Sequence, residues 1–394
     1  MPHAFVERLL RLPERAFFLF GPRGVGKSMW LRASLPDAPY FDLLESSLFL
    51  ELARAPDRIE AMVGQRPEGT WVVVDEVQKV PALLDEVHRL IETKGWRFAL
   101  CGSSVRKLRH GGANLLAGRA VTRHLECFTS SELGPAFDLS RSLEWGSLPL
   151  VSLNPHHAAD ILDAYVNTYV KEEIKEEGIV RNLPPFLRFL AVAGILNGQV
   201  VNRQNVARDA SVPRSTVDVY FSILEDTLLG WSLPAYRPGV KVREGAHGKF
   251  YWMDAGIARA AAGLLRDPPD RIWRGFALET LIYHELRVFN HTADKHRAIA
   301  FYRTAAGMEV DFLIETRTRT SSHPAHVVCV EVKLADRWDR RWEAPMRALA
   351  MTPESLVVDR MFGVYAGTRE YVFDGVEVLP VAAFLGRLYD GEVF

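Results

Sequence analysis

Residues 1–130 alternate short apolar runs with stretches of helical periodicity. The apolar runs are continuous, which is typical of strands that are buried on both faces. They cover Ala16–Phe20, Pro39–Leu44, Trp71–Glu76, Arg97–Gly102 and Ala120–Phe128. Helical periodicity lies between them, over Ser28–Leu35, Ser46–Arg54 and Pro81–Thr93. Strands that alternate with helices form a parallel sheet covered on both faces, so the pattern predicts an α/β fold here.

The pattern changes after Ser130. Helical periodicity without intervening strands covers Ala158–Glu177 and Pro185–Leu196. Asn202–Leu229 predicts two helices around a tight turn, because its apolar positions follow the helical period on both sides of Ser211. Leu233–Met253 carries prolines, glycines and basic residues, as a small β wing does.

Alternation of helices and strands returns after Ile272. The pattern predicts one helix and three strands, at Phe276–Phe289, Ile299–Arg303, Glu309–Glu315 and Val327–Lys333. Thr316–Pro324 is polar, and we expect an exposed turn there.

The composition limits the possible functions. With 394 residues, 48% of them hydrophobic, the chain can form two or three domains that each bury a core. The formal net charge is -1, so any contact with nucleic acid must come from a local basic patch. Cys101, Cys127 and Cys329 lie apart in apolar runs, and we interpret them as buried side chains. We find no signal-peptide pattern and no apolar stretch near the ~20 residues that span a bilayer, so we expect a cytoplasmic protein with no membrane partner.

A glycine-rich loop follows the first predicted strand and opens the first predicted helix. It consists of Gly21, Pro22, Arg23, Gly24, Val25, Gly26, Lys27 and Ser28. Such a loop curls so that backbone N–H groups converge on one anion, and the helix adds the positive end of its dipole. Lys27 would reach the β and γ phosphates of ATP, and the Ser28 hydroxyl would ligate Mg²⁺. The loop and its context predict a P-loop nucleotide site.

A second motif supports that site. Val72–Val74 is a buried strand that ends in Asp75 and Glu76, as a Walker B strand does. Asp75 would hold Mg²⁺ through water, and Glu76 would polarise the attacking water. The alternative for both acids is a solvated strand end. Because the two motifs occur together in the expected order, we predict that the chain binds and hydrolyses ATP.

The first ~130 residues resemble an AAA+ ATPase module. In that family a polar residue at the end of the next strand senses the γ-phosphate, and Ser103 or Ser104 would do so here. Arg119, after Leu116–Gly118, follows at the spacing of the family's arginine finger; Arg106 and Arg123 are the competing candidates. A finger acts on the phosphoryl group of a neighbouring subunit, so the resemblance implies a homo-oligomer, with a ring as the expected form. The alternative for Arg119 is a surface arginine or a structural ion pair.

Gln204–Val217 resembles a helix-turn-helix. Its predicted second helix, Arg214–Ser222, turns Val217 and Phe221 inward. Arg214, Ser215 and Asp218 then face outward, and a recognition helix meets DNA with its first residues. The basic residues of the wing segment add a local patch; they are Arg237, Lys241, Arg243 and Lys249. Such modules also serve as structural lids and dimerisation units, and the acids Asp218, Glu225 and Asp226 weaken the positive field.

Acidic residues near the C-terminus resemble the PD-(D/E)xK nuclease signature. Asp311, in Glu309–Phe312, would converge with Glu331 on Mg²⁺, and Lys333 would assist the nucleophilic water. Because side chains alternate along a strand, Glu331 and Lys333 share one face. Glu279 or Glu285 on the preceding helix would complete the set, and Glu279 matches the family pattern better. The alternative is a strand edge with ordinary charges.

Over nearly its full length the chain resembles a prokaryotic family in which an AAA+ domain precedes a domain of unassigned function, DUF4143. Tyr251–Gly256 is a further landmark of this resemblance, besides the motifs above. The resemblance implies a P-loop AAA+ parallel sheet, then a helical and winged-helix segment, then a restriction-endonuclease-like α/β domain. The expected boundaries are 1–133 for the ATPase domain, 134–199 for a helical lid or linker, 200–256 for the winged helix and 257–394 for the nuclease-like domain.

We weigh three functions. The leading hypothesis is an oligomeric ATPase that acts on DNA, including branched or forked DNA, with a nuclease-like domain that binds or cuts it. The second is a nucleotide-gated regulatory or defence switch, in which the nuclease-like domain is only a binding module. DNA-stimulated turnover distinguishes them, because a motor hydrolyses faster on its track while a switch holds its nucleotide. A third, a chaperone-like protein acting on polypeptides, has no supporting motif.

Overall fold

A computed structural model of the chain describes residues 6–103, 116–171, 174, 180, 182–236, 248–304, 307–351 and 356–394. The chain divides into two compact units. The first unit comprises Met1–Phe128 with Leu148–Leu153 and Ser222–Leu229, and the second comprises Thr129–Ser147, Asn154–Phe221 and Gly230–Phe394. Among the described residues, no helix has both the length and the apolar character needed to cross a membrane.

The first unit is built on a five-stranded parallel sheet of order β2-β3-β4-β1-β5. Its strands are β1 (Phe17–Phe20), β2 (Tyr40–Asp42), β3 (Trp71–Asp75), β4 (Arg97–Gly102) and β5 (Val121–His124). Its helices are α1 (Lys27–Ser34), α2 (Ser46–Arg54), α3 (Arg58–Val63) and α4 (Leu83–Lys94). All residues of β1 are buried, since helices cover a parallel sheet on both faces. The predicted α/β fold is confirmed.

The parallel pairing brings the ends of three strands to one edge of this sheet. Phe20 at the end of β1 pairs with Gly102 at the end of β4, and Val74 of β3 pairs with Leu100. The phosphate loop follows β1, and the predicted catalytic acids and sensor follow β3 and β4. These sequence-distant residues therefore meet at the carboxyl edge, where ligands of open α/β sheets bind.

The described residues between β5 and the small sheet form helices and no strand, as predicted. Its helices are α5 (Ser130–Leu133), α6 (Leu139–Trp145), α7 (Pro149–Leu153), α8 (Ala158–Ala164) and α9 (Leu183–Ile195), and Tyr165–Val170 continues α8 as a π-helix. Thr129 caps α5 through a capping box with Glu132, in which each side chain accepts a backbone hydrogen bond from the other residue.

Two short helices and three strands follow. They are β6 (Gln199–Val200), α10 (Arg203–Asp209), α11 (Arg214–Asp226), β7 (Gly230–Leu233) and β8 (Lys249–Trp252). The strands pair antiparallel in the order β6-β8-β7. Ser211 takes a left-handed conformation with φ of 54° in the turn between α10 and α11, so the predicted pair of helices around a tight turn is present.

The C-terminal part of the second unit is a mixed sheet of order β13-β14-β12-β11-β10-β9. The strands are β9 (Ala298–Arg303), β10 (Glu309–Arg317), β11 (Ala325–Lys333), β12 (Leu356–Tyr365), β13 (Tyr371–Phe373) and β14 (Val376–Pro380). The helix α12 (Ala255–Ala261) precedes it and packs on α6 and α9, and the described residues further along the chain form α13 (Arg271–Thr292), α14 (Ala344–Ala350) and α15 (Val381–Tyr389). Because β11 pairs antiparallel with β10 and parallel with β12, the sheet is mixed, and the predicted second α/β segment is confirmed.

Helix α13 lies against this sheet. It is buried on most of its circumference, and Tyr283 on it stacks on Phe312 of β10 with ring centroids 5.8 Å apart. On the other side, Met346 and Leu349 of α14 join the apolar core formed by residues such as Cys329. Burial of α13 forces its polar residues to find partners inside the protein, and this requirement shapes the site described below.

The Tyr251–Gly256 landmark is a packing motif. The Asp254 carboxylate accepts hydrogen bonds from Ile257 N at the start of α12, at 3.0 Å, and from Ser147 N at 2.6 Å. A Cβ on Gly256 would lie 2.1 Å from the carbonyl oxygen of Trp145, so only glycine allows this approach. The motif thus ties α12 to the chain that follows α6.

Candidate nucleotide site and C-terminal carboxylate cluster

The phosphate loop joins β1 to α1. Gly24 and Gly26 have φ of 82° and 93°, a left-handed conformation that glycine adopts without strain. A Cβ on Gly21 would lie 2.1 Å from Leu125 O, so glycine is also required where the loop leaves the sheet. The loop therefore curls at the N-terminus of α1, as an anion site requires.

Lys27 is held inside that loop. Its ammonium donates to Gly21 O at 2.7 Å and to Pro22 O at 3.0 Å, and the residue is only 7% exposed. Both partners are neutral carbonyl groups. A phosphate oxygen would give this buried ammonium a charged partner, and a charge-assisted hydrogen bond is stronger than the ones it would replace. Arg23 and Ser28 are exposed at the same end of α1, whereas Val25 is buried.

The predicted Walker B acids lie at the end of β3. Asp75 is 3% exposed; its Oδ1 accepts from Glu76 N at 3.0 Å and its Oδ2 accepts from Tyr40 Oη at 2.5 Å. Glu76 itself takes a left-handed conformation with φ of 58°. A strained non-glycine residue at this position is of the kind that functional sites retain.

A polar chain connects Glu76 with Ser103. Gln78 Nε2 donates to Glu76 Oε2 and also lies 3.2 Å from Ser103 Oγ. Gly102 makes room for this amide, because a Cβ there would lie 2.6 Å from Gln78 Oε1. Ser103, one of the two predicted sensors, therefore connects to the predicted catalytic acid through Gln78, and Ser104 lies outside the described residues.

Tyr40 is a site residue that sequence reasoning missed. It lies on β2, and its hydroxyl donates to Asp75, while the Arg32 guanidinium carbon lies 3.7 Å from the centroid of its ring. Burial and the neighbouring Asp75 raise the pKa of the Tyr40 hydroxyl above its usual value, so it remains a donor at neutral pH. The sequence indicated only that Tyr40 lies in the predicted strand that precedes the Walker B strand along the chain.

Arg119 follows a 3₁₀ turn, Leu116–Gly118. Its side chain is 37% exposed and pairs with Glu92 of α4. This hydrogen bond lowers the pKa of Glu92. The competing candidate Arg123 lies on β5 and donates to Thr122 O at 3.2 Å, and Arg106 lies outside the described residues. Within a single copy of the chain, Arg119 therefore forms an exposed ion pair with Glu92.

The C-terminal acids converge in the second unit. Phe312 pairs with Val330 across β10 and β11, so Asp311 and Glu331 are neighbours at this pairing. Asp311 is anchored because its Oδ2 accepts from Val332 N at 2.9 Å. Glu309 of β10 and Glu279 of α13 complete a group of four carboxylates. We call these four side chains, together with Lys249 and Lys333, the carboxylate cluster.

Two ammonium groups fill the carboxylate cluster. Lys249 Nζ lies 2.6 Å from Glu309 Oε1, 3.2 Å from Glu279 Oε2 and 3.4 Å from Asp311 Oδ1. Lys333 Nζ lies 2.5 Å from Glu331 Oε1 and 3.3 Å from Asp311 Oδ2. The prediction that Lys249 contributes to an exposed basic patch was wrong, because the residue is 3% exposed and its charge is already paired.

The pKa values in this cluster diverge. Burial and the charge of Asp311 raise the pKa of Glu279 to about 7 and that of Glu331 to about 8. Although burial acts in the opposite direction, Lys333 and Lys249 hold the pKa of Asp311 below its usual value. Among Glu279, Asp311 and Glu331, Asp311 is therefore the carboxylate whose ionised form is favoured, and the two lysines are its counter-ions.

A divalent metal does not fit this cluster as it is arranged. Mg²⁺ needs about six oxygen ligands at ~2.1 Å. Among the described residues no group of three or more His, Cys, Asp or Glu side chains could hold a metal ion. Both Asp311 oxygens are engaged, and Glu331 Oε2 is the one buried oxygen of these described carboxylates without a hydrogen-bond partner. A single free oxygen does not make a metal site.

Glu285 belongs to a different environment. It accepts from Ser130 N at 2.7 Å and from Tyr389 Oη at 2.5 Å, and burial raises its pKa. It therefore joins α13 to α5 and α15. Of the two acids that the sequence left open, Glu279 is the one that meets Asp311.

The helix-turn-helix exposes the residues that the pattern predicted. Arg214, Ser215 and Asp218 are exposed on α11, whereas Val217 and Phe221 are buried. Arg237, Lys241 and Arg243 of the predicted wing lie outside the described residues.

The sheet order, the loop after β1 and the acids after β3 define a P-loop protein of the AAA class. Residues 13–134 match the family model of an AAA domain, and residues 274–384 match that of a domain of unknown function, DUF4143. The chain therefore combines an AAA-type ATPase domain with a C-terminal DUF4143 domain, as its motifs predicted. Residues 136–267 match a further domain of unknown function, DUF8612.

No curated protein matches the chain. Among solved structures it is similar to the Orc1 protein of Aeropyrum pernix, determined in complex with DNA, with 15% identity over 64% of this chain and 87% of that one and a TM-score of 0.28. It is also similar to protein VC1899 from Vibrio cholerae, with 11% identity over 96% of both chains and a TM-score of 0.20. Similarities of this extent carry no conclusion about function.

Proposed function

We propose that this chain hydrolyses ATP at the carboxyl edge of its parallel sheet. The observation that carries the proposal is the state of Lys27, a buried ammonium whose hydrogen-bond partners are two loop carbonyls. The β and γ phosphates would replace those carbonyls, and the backbone of Gly21–Ser28 would cradle them. Ser28 and Asp75 would hold Mg²⁺, which neutralises phosphate charge when it is bound.

Glu76 has the general-base role in this proposal. It would orient the attacking water and accept its proton, while Gln78 and Ser103 keep its carboxylate in position. Tyr40 would hold Asp75 in the orientation that the metal needs. The Tyr40–Asp75 hydrogen bond joins β2 to β3, and the Gln78–Ser103 hydrogen bond joins the segments that follow β3 and β4.

Arg119 would act in trans as the arginine finger of a homo-oligomer, for which we propose a ring. Its ion pair with Glu92 is exposed, and exposed pairs contribute little to stability, so the arginine can exchange this partner for a phosphate.

Arg119→Ala should bind ATP and hydrolyse it ~10³-fold more slowly. Mixing this variant with Glu76→Gln should restore activity, because some interfaces then pair an intact Glu76 with an intact Arg119. If mixed oligomers form and ATP hydrolysis does not recover, Arg119 is not the arginine finger. Arg123→Ala tests the competing position in the same way.

DNA is the proposed partner of the second unit, including branched or forked DNA. Arg214 and Ser215 are exposed at the start of α11, and the order helix, strand, two helices and two strands over α9–β8 supports a winged helix. Replacing Arg214, Lys241 and Arg243 by Glu should weaken DNA binding and flatten its salt dependence. Replacing the exposed Arg11, Arg15 and Arg54 of the first unit by Glu is the matched control, because the change of charge is the same. Unchanged affinity in the triple variant would remove the module from the interface.

A second candidate function is a nucleotide-gated regulatory or defence switch. The filled carboxylate cluster favours it, because a nuclease-like domain without a metal site would bind DNA and leave it intact. The deciding experiment measures ATP hydrolysis without DNA and with single-stranded, duplex and junction DNA. Stimulation by one form supports the motor. Slow, DNA-independent hydrolysis with retained nucleotide supports the switch, and absence of hydrolysis under all conditions contradicts both.

A further inference from the structure

Lys249 occupies an unusual place for a lysine. It begins β8 of the small sheet, yet its ammonium lies among carboxylates contributed by α13 and β10. The side chain is 4% exposed. A lysine is almost never buried to this extent unless it is paired, so the position of Lys249 depends on the carboxylates around it.

The ammonium and a divalent ion would need the same oxygens. Lys249 contacts Glu279 Oε2, Glu309 Oε1 and Asp311 Oδ1, which come from separate side chains and converge on one point. Convergent carboxylate oxygens are the ligand set that Mg²⁺ and Mn²⁺ prefer. Two cations cannot share that point, because their repulsion adds to the loss of ligands.

Lys333 has a different position. It lies on β11 beside Glu331, two residues away on the same strand face, and it contacts the other oxygen of Asp311. A nuclease signature accounts for one lysine at that place. Lys249 is the additional cation, and its neighbour Tyr251 donates to the same Glu279 oxygen at 3.0 Å. The residues of β8 thus supply both a charge and a hydrogen bond to α13.

We propose that Lys249 is the resident cation of the carboxylate cluster: its ammonium occupies the position that a divalent ion would need, so that the cluster joins β8, α13 and β10 without metal. The acidic residues then serve as a structural junction in the second unit. This inference is independent of the ATPase proposal, because it concerns cation binding at the cluster alone.

The experiment measures Mn²⁺ binding to the nucleotide-free full-length chain, by the loss of the free Mn²⁺ signal in electron paramagnetic resonance. An Asp75→Asn background removes the one carboxylate among the metal ligands proposed for the ATP site, Ser28 and Asp75. With Lys249 present, we expect no binding that depends on Asp311. Lys249→Met should create one Mn²⁺ site. Its affinity should exceed that of any Mn²⁺ site in the parent, with Lys249 intact, by about tenfold or more, and tenfold corresponds to a binding free energy of only ~1.4 kcal/mol. Adding Asp311→Asn should abolish it.

Thermal unfolding provides the second measurement. Lys249→Met should lower Tm by roughly 5 °C or more, because it leaves buried carboxylates without their counter-ion. Mn²⁺ should then restore part of that loss in the variant and leave Tm of the parent unchanged. Lys94→Met, at an exposed lysine that ends α4, is the matched control.

Two results would overturn the proposal. The first is Asp311-dependent Mn²⁺ binding while Lys249 is intact, which needs no substitution at Lys249 and can be measured even if Lys249→Met does not fold. The second is a folded Lys249→Met chain that gains no Mn²⁺ site, since the ammonium would then not be what occupies the position.

Discussion

The phosphate loop and the carboxylate cluster use the same residue types and differ in how their charges are compensated. In the loop, Lys27 donates to neutral carbonyl oxygens. Next to it, at the end of β3, Asp75 accepts from a tyrosine hydroxyl and a backbone N–H. In the cluster, Lys249 and Lys333 donate directly to carboxylates.

The difference decides which of the two arrangements would be stabilised by a bound ligand. A buried ammonium held by carbonyls gains a stronger partner when a phosphate arrives, and a buried carboxylate held by neutral donors gains when a cation arrives. The Lys249 ammonium is already paired with three carboxylates, so a bound anion would offer it no stronger partner. A lysine near acids is therefore evidence of a ligand site only when its own partners are known.

The largest expected effect is on hydrolysis. Glu76→Gln should bind ATP and lower the hydrolysis rate by about 10²–10⁴-fold, because an amide cannot accept the proton of the attacking water. Steady-state phosphate release and nucleotide binding measured on the same sample check this. Glu14→Gln, at an exposed glutamate, should hydrolyse at the parent rate. Full activity in Glu76→Gln would end the Walker B assignment.

The second prediction concerns affinity. Lys27→Ala should weaken ATP binding by roughly 100-fold or more, since hydrogen bonds between charged groups contribute ~1.5–3 kcal/mol each. Its Tm should change little, because only hydrogen bonds to two carbonyls are lost. Isothermal titration with ATP and thermal unfolding measure the two effects. If Lys27→Ala lowers Tm as much as we expect for Lys249→Met, the proposed difference between the two sites is wrong.

The third prediction concerns Tyr40. Tyr40→Phe should raise the Mg²⁺ concentration needed for half-maximal hydrolysis by about tenfold, because a hydrogen bond to a charged group of ~1.5 kcal/mol is lost. The rate at saturating Mg²⁺ should change less, since Tyr40 positions Asp75 and does not touch ATP in this proposal. A merely structural role would instead lower the maximal rate and leave the Mg²⁺ dependence as it is.

The smallest effect is a few-fold and tests the polar chain. Ser103→Ala and Gln78→Ala should each slow hydrolysis by about tenfold or less, and the double variant should be no slower than Gln78→Ala alone. Residues that act through one network are non-additive, whereas independent residues add. Additive losses in the rates would mean that Ser103 acts on the nucleotide directly, as the family's sensor does, and not through Gln78.

Some features could be predicted because their cause is local. Continuous apolar runs predicted the five parallel strands, and the helix pair around Ser211 followed from periodicity and turn chemistry. The short helices α3 and α5 to α7 were not predicted, because a few residues carry too little periodicity. The boundaries of the four predicted domains and the roles of the site residues stay predictions.

The sequence by itself determined the phosphate loop, because the groups that make it are consecutive residues and their geometry follows from glycine positions. Only the tertiary structure decided the roles that depend on distant partners. Tyr40 meets Asp75 because β2 pairs with β3, and Lys249 meets Asp311 because the fold brings β8 of one sheet close to β10 of another. The physical reason is that a side chain's charge environment depends on its neighbours in space, and burial strengthens each of those interactions.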